Sequence, residues 1–271
     1  MPPPGDVTNS DPAKRVLITG SAKRIGRSLA LDFADHGWDV AIHYHASETA
    51  ARDLVAEIET RGVRAAAIAC DLADLDAVLA LFETCTERLG PITCLINNAS
   101  EFRFDSIADL TPAGWDLHLD INLKAPVFLA QALAHHLPEA VAGNVINIID
   151  QRVWNLTPEF FSYTVSKAGL WSATRMLAQA LAPHIRVNAI GPGPVLKSIH
   201  QTEEDFAREA RSTLLERGSS PEEIAAAVRF ILDCPAMTGQ MVALDGGQHL
   251  AWNAAQPASA IVAPGAEPTQ Q

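Results

Sequence analysis

Cysteine is scarce in this 271-residue chain. The four present, Cys70, Cys85, Cys94 and Cys234, include no C-x-x-C pair, so they read as small buried hydrophobes of a reducing compartment. Positive charge is also in short supply. Lys and Arg total 20 against 32 Asp and Glu, a net charge of −12. That balance argues against a nucleic-acid partner or an anionic membrane surface, and an anionic ligand would have to be held by local cations. No apolar run approaches the ~20 residues needed to span a bilayer. The start, Met1-Pro-Pro-Pro-Gly-Asp6, has neither the charged nor the apolar region of a secretory signal. These absences point to a cytoplasmic protein. Residues 1–12 are Pro-rich and polar, and 253–271 are Ala/Pro/Gln-rich without periodicity, so both ends read as disordered tails. What is left, 13–252, suits one α/β domain.

Within that domain, strand-like and helix-like stretches alternate, the mark of a parallel sheet covered on both faces. The strands fall at 14–20, 38–44, 63–70, 92–96, 144–149, 185–190 and 240–244. Helices are predicted at 27–36, 47–60 (with Ser47 as N-cap), 74–89, 112–137 as one long helix, 161–181 and 202–216. Gly191-Pro-Gly-Pro194 is read as unable to continue a strand, because it combines two prolines with two glycines.

The first strand closes on Gly20 and runs into Ser21-Ala-Lys-Arg-Ile-Gly26 and an amphipathic helix. Strand, glycine turn and helix form a dinucleotide-binding opening. Gly20 permits the turn, Gly26 permits close packing, and the helix N-terminus offers N–H groups to a pyrophosphate.

Tyr163 and Lys167 lie four apart on the 161–181 helix and share a face. A phenol titrates near about 10, and a neighbouring ammonium lowers that value. A shift of roughly 3 units corresponds to about 4 kcal/mol. The pair therefore suits an acid–base device, although the same spacing also occurs in solvated surface pairs.

Thr19-Gly20-x3-Arg24-Ile25-Gly26, Asn97-Asn98-Ala99, Tyr163-x3-Lys167 and Asn188-x2-Gly191-Pro192-Gly193 occur in order along 14–249. Together they resemble the short-chain dehydrogenase/reductase family. The family turn commonly has Gly where this chain has Arg24. That departure, with His43-Tyr-His-Ala-Ser47, Asn97-Asn-Ala-Ser-Glu-Phe102 and Asp150, is similar to the pteridine reductase branch, and Leu244-Asp-Gly-Gly-Gln-His-Leu250 to its bacterial dihydromonapterin reductases.

The resemblance implies a doubly wound Rossmann fold, with seven parallel strands in the order 3-2-1-4-5-6-7, and a homotetramer. It makes 13–252 a single NADP-binding catalytic domain, with a substrate loop in 191–218. No acid closes the second strand to accept a ribose 2′-OH, so NADP(H) is expected. Arg24, His45 and Ser47 would lie on its phosphate side, although Ala46 replaces an Arg found in relatives. His43 and His45 also suit ordinary strand positions, and a metal pair lacks a third ligand.

By the same resemblance Gly20, Ile25, Gly26, Asp71, Leu72, Asn98, Ala99, Ser100, Gly193, Tyr163 and Lys167 face the cofactor. Asp71 suits a helix N-cap equally, and Asn122 is either the holder of a relay water or a satisfied buried amide. Asp150 occupies a place where most members have Ser. An ionised carboxylate cannot donate to a carbonyl; it can accept from Tyr163 or a protonated ring, which suits reduction of C=N better than of C=O. Phe102, Ser100, Arg24, Asp150 and Tyr163 would contact a pterin, stacked between Phe102 and the nicotinamide. The expected activity is reduction of a dihydropterin to its tetrahydro form. A ketone or quinone reductase is the alternative, and a non-catalytic NADP(H)-binding regulator a third reading. After Gly247, His249 or Trp252 would be placed to reach a neighbouring subunit.

Overall fold

The computed structural model describes residues 14–198 and 201–251. The expected tails and Trp252 lie outside the described residues. Seven strands form one sheet: β1 (Arg15–Ile18), β2 (Asp39–Tyr44), β3 (Ala65–Ala69), β4 (Cys94–Asn97), β5 (Gly143–Ile148), β6 (Ile185–Pro192) and β7 (Met241–Leu244). Every pairing is parallel and the order is β3-β2-β1-β4-β5-β6-β7, as the resemblance implied.

Alternation along each strand divides the core. In β1, Val16 and Ile18 pack on one face with α1 (Arg24–Asp35), α2 (Glu48–Glu59) and α8 (Pro221–Leu232). Leu17 packs on the other with α3 (Leu75–Leu89), α5 (Ala125–His136) and α6 (Phe161–Leu181). Val16, Leu17 and Ile18 are fully buried, which is why the strand is apolar after Arg15. Each contributes roughly 1.5–3 kcal/mol relative to exposure.

Three local expectations need correction. The long helix at 112–137 is really α4 (Pro112–Leu119), a π-helical turn (Asp120–Lys124) and α5. Pro126 has no N–H to give the Asn122 carbonyl in an α-helical bond, so the regular ladder cannot pass through this point. Strand β6 does continue through Gly191 and Pro192, which pair with Ala243 and Leu244. The Ile190 carbonyl accepts from Ile149, so residue 192 points the same way, past the end of β5, where the missing N–H of proline costs nothing. Finally, α8 was not anticipated, although Ser220-Pro-Glu-Glu223 forms a capping box with proline in the first turn. The polar helix expected at 202–216 is the shorter α7 (Glu203–Arg211), capped by Thr202.

Candidate active site

The C-terminal ends of β1, β2, β4, β5 and β6 open onto a cavity of about 820 Å³. Its cofactor half is built from backbone. Gly20 has φ +64°, and a Cβ there would meet Ala99 at 3.0 Å. A Cβ on Gly26 would meet the Gly20 carbonyl oxygen at 2.5 Å and Asn98 Nδ2 at 2.7 Å. Asn98 explains the closeness: its Nδ2 donates to the carbonyls of Thr19 and Gly20, at 2.9 and 3.2 Å. Thr19 Oγ1 in turn accepts from the amides of Asn98 and Ala99. A Cβ on Gly193, across the cavity, would meet Asp245 Cα at 2.7 Å.

His43 locks the same turn. Gly20 N–H donates to its Nδ1 at 2.9 Å, so Nε2 carries the proton and donates to the Cys70 carbonyl at 3.1 Å. Burial pushes its pKa down to about 4, so the ring stays neutral. No sequence signal assigned this clamp.

Arg24 occupies the left-handed region, φ +56°, where the family commonly has glycine. Its guanidinium donates to the Leu196 and Lys197 carbonyls, at 3.1 and 2.9 Å, tying the first turn to the loop after β6. No side chain caps the N-terminus of α1, whose residues Arg24, Ile25 and Gly26 line the cavity. Lys23, His45, Asp71 and Leu72 also line it. His45 Nε2 stands 4.0 Å from Asp71 Oδ2.

Asp71 is not a helix cap. Its Oδ1 accepts from Ala73 N, whereas Asp74 caps α3. Ser47 holds the N-cap position of α2 without a side-chain bond, because its backbone (φ −99°, ψ 50°) is not the extended form that aims the hydroxyl at the helix amides. It does not line the cavity, and neither does Asn122. Asn122 is a fully buried amide that accepts from Glu101 N–H and donates to the Glu101 carbonyl and Ser166 Oγ.

The other half of the cavity is built from side chains. Tyr163 and Asp150 face each other there, with Tyr163 O–H donating to Asp150 Oδ2 at 2.8 Å. Asp150 Oδ1 accepts from Arg152 N–H. Burial raises the Asp150 pKa. The Tyr163 pKa is also raised, well above the usual value, by burial first and by the Asp150 charge second, opposed by Arg152 and the Ser100 hydroxyl. This corrects the expectation that an ammonium lowers it. Lys167 Nζ instead donates to the Ile148 carbonyl at 2.9 Å and stands 5.9 Å from the centre of the tyrosine ring. Burial brings the Lys167 pKa down to about 8.

Phe102 stacks on Phe160 at 4.5 Å and meets Tyr163 edge-on at 4.7 Å, so one of its faces is already covered by protein. The loop carrying it is fixed from beneath. Arg103 N–H donates to His118 Nε2 at 3.1 Å, so His118 Nδ1 carries the proton and donates to Ser162 Oγ at 2.6 Å. Ser162 Oγ–H donates to Asp105 Oδ2 in a very short contact. Asp105 also accepts from Ser162 N–H through Oδ1 and from Phe161 N–H through its carbonyl, capping α6 from a distant loop. Asp105, His118, Ser162 and Phe160 carry no sequence motif and were missed.

The segment after β6 does face the cavity, through Gly193, Leu196, Phe206 and Glu209 among others. His249, expected near a neighbouring subunit, is engaged within its own chain. It bonds Asp245 Oδ2 at 2.6 Å and packs on Trp154 at 5.0 Å. No group of three or more His, Cys, Asp or Glu among the described residues could hold a metal ion.

Residues 20–249 match the family model described as Enoyl-(Acyl carrier protein) reductase. A 3-oxoacyl-[acyl-carrier-protein] reductase of Staphylococcus aureus is 31% identical over 88% of this chain and 98% of its own. Among solved structures, FolM Alternative dihydrofolate reductase 1 from Brucella suis in complex with NADP is 48% identical, with a TM-score of 0.86 over 88% of this chain and 96% of that one. Its counterpart from Brucella canis, complexed with NADP, is 47% identical with a TM-score of 0.84 over 88% and 95%. The glycine turn, the Tyr163/Lys167 helix and these matches lead to one conclusion: the chain belongs to the short-chain dehydrogenase/reductase family of oxidoreductases.

Proposed function

We propose that this protein reduces a dihydropterin to its tetrahydro form at a C=N bond, using NADPH. The observation that carries the reading is the half-buried hydrogen bond from Tyr163 to Asp150. The two 48% and 47% identical structures named as alternative dihydrofolate reductases support it. The cofactor is NADP(H), and the residues present fit it. Gly20 and Gly26 leave room at the turn, α1 presents uncapped amides, and Lys23 and Arg24 supply positive charge. NADPH supplies the hydride when bound.

The protein's own task is to hold a proton at the other end of the new bond. An ionised carboxylate accepts but does not donate. Asp150 therefore accepts from Tyr163, or from an N–H of a protonated heterocycle, where a serine would donate to a carbonyl. Burial raises the pKa of both groups, which favours the protonated phenol that the reaction needs. Tyr163 is the donor to the ring nitrogen, directly or through water, Asp150 orients its hydroxyl by accepting from it, and solvent returns the proton to the phenolate before the next turnover. Lys167, anchored on the Ile148 carbonyl, supplies positive charge beneath the pair. Asn122 fastens the loop at Glu101 and hence Phe102. A homotetramer is part of this reading, and sedimentation velocity tests it.

A second reading is carbonyl reduction, favoured by the 31% identity to a 3-oxoacyl-[acyl-carrier-protein] reductase. The test is NADPH oxidation with dihydromonapterin, dihydrobiopterin, dihydrofolate, ketones and a 3-oxoacyl thioester, repeated with NADH. Pterin turnover that falls in Asp150→Ser supports the first reading. Turnover of ketones or thioesters alone, unchanged or raised in Asp150→Ser, replaces it with the second.

A further inference from the structure

Beside the Tyr163–Asp150 pair the cavity wall carries two further polar side chains, Gln151 and Arg152. They follow Asp150 directly, in the short 3₁₀ turn Gln151–Val153, and both line the cavity. Gln151 is 5% exposed, and its Oε1 is buried without a hydrogen-bond partner. Such an orphan costs roughly 1–3 kcal/mol, a cost removed when a ligand supplies an N–H.

Arg152 forms no ion pair with a carboxylate among the described residues. Its guanidinium lies over the Phe160 ring at 5.0 Å, and Nη1 makes one long bond, 3.3 Å, to Thr157 Oγ1. The planar fork is thus held in place while most of its five N–H donors stay uncommitted. Several other charged groups around the cavity are already engaged. Glu101 pairs with Arg103 at 2.7 Å, Glu209 accepts from Gln201 Nε2 at 2.6 Å, Arg24 is spent on loop carbonyls, and Asp150 on Tyr163. In a chain of net charge −12, a guanidinium held on the cavity wall with uncommitted donors suits an anion.

We propose that Gln151 and Arg152 form a subsite for a carboxylate-bearing tail on the substrate, Arg152 taking the carboxylate and Gln151 Oε1 an adjacent N–H. This rests on the pterin reading and narrows it. The substrates preferred at this site are pterins with an acidic aminoacyl tail, of the dihydrofolate kind, over pterins with a neutral polyol tail.

The test compares dihydrofolate with dihydromonapterin, NADPH being saturating, in wild type, Arg152→Met and Arg152→Lys. Loss of a charge-assisted bond predicts that the ratio of KM for dihydrofolate to KM for dihydromonapterin rises about 10–100-fold in Arg152→Met, with partial recovery in Arg152→Lys. An unchanged ratio overturns the subsite, whether both substrates weaken together or neither does. Calorimetric binding of p-aminobenzoyl-glutamate to the NADP-loaded protein keeps this separate from the pterin reading. If wild type reduces no pterin, that reading fails by itself. Binding of this tail fragment to wild type, lost in Arg152→Met, still supports the subsite, and equal or absent binding in both overturns it.

Discussion

The two halves of the cavity are built on different principles. The cofactor half is backbone held by side chains: Gly20, Gly26 and Gly193 leave no room for a Cβ, and the His43, Asn98 and Thr19 side chains fix main-chain groups within a few residues of the strand ends. The substrate half is side chain on side chain, with Tyr163 on Asp150, Phe102 on Phe160, and Ser162 between Asp105 and His118. The first design recognises a ligand part common to many enzymes and tolerates little change. The second can be re-cut one side chain at a time, which is how one fold serves many substrates.

Breaking the backbone half should damage stability and cofactor binding together. Gly26→Ala places a Cβ 2.5 Å from the Gly20 carbonyl oxygen, with no flexible side chain to give way. Stability should fall by about 1–3 kcal/mol and the NADPH Kd should rise at least ~10-fold, about 1.4 kcal/mol, as read by thermal unfolding and fluorescence titration. On the other side, Tyr163→Phe should lower kcat by roughly 10²–10⁴-fold with NADPH binding intact. Loss of binding in that variant would remove Tyr163 from the acid role. Asp105→Asn takes the charge from a buried cap and should lower stability by about 1.5–3 kcal/mol, while raising the substrate KM through displacement of Phe102.

A further test sharpens the comparison by pH. Burial lowers the His43 pKa from its usual 6.5 to about 4 in the folded chain. The unfolded chain therefore binds the proton more readily between those values. Stability is complete above pH 6.5 and falls by about 1.4 kcal/mol per unit down to pH 4. Urea midpoints at pH 7 and pH 5 read this directly, and His43→Gln should flatten the slope.

The same contrast decided what could be read from the chain. Gly20, Gly26, Asn98 and Gly193 were legible because backbone geometry restricts residue type at fixed short spacings, whereas the hold of Arg24 on the Leu196 and Lys197 carbonyls was not. Their sheet order followed from strand alternation and the family likeness. Asp150 and Tyr163 were legible as a pair, but the direction of the tyrosine shift was not. Spacing shows Lys167 four residues away and hides the depth of burial and the carboxylate across the cavity. Asp105 and Ser162 lie 57 residues apart, and His118 and Ser162 lie 44 apart. No local pattern announces a bond at that distance, and an isolated Asp in Phe104-Asp-Ser106 resembles any loop acid. The π-helical turn was hidden for a different reason: apolar spacing continues straight through it, and only Pro126 marks the break.

The cap on α6 also bears on how the protein breathes. The first amides of a helix have no acceptors within it and ordinarily exchange their protons with water almost as fast as a loop does. In α6, Phe161 and Ser162 give theirs to Asp105. Exchange at this end therefore waits on the opening of the 101–105 loop, and the helix turn that presents Tyr163 is as slow to fray as that loop is to lift.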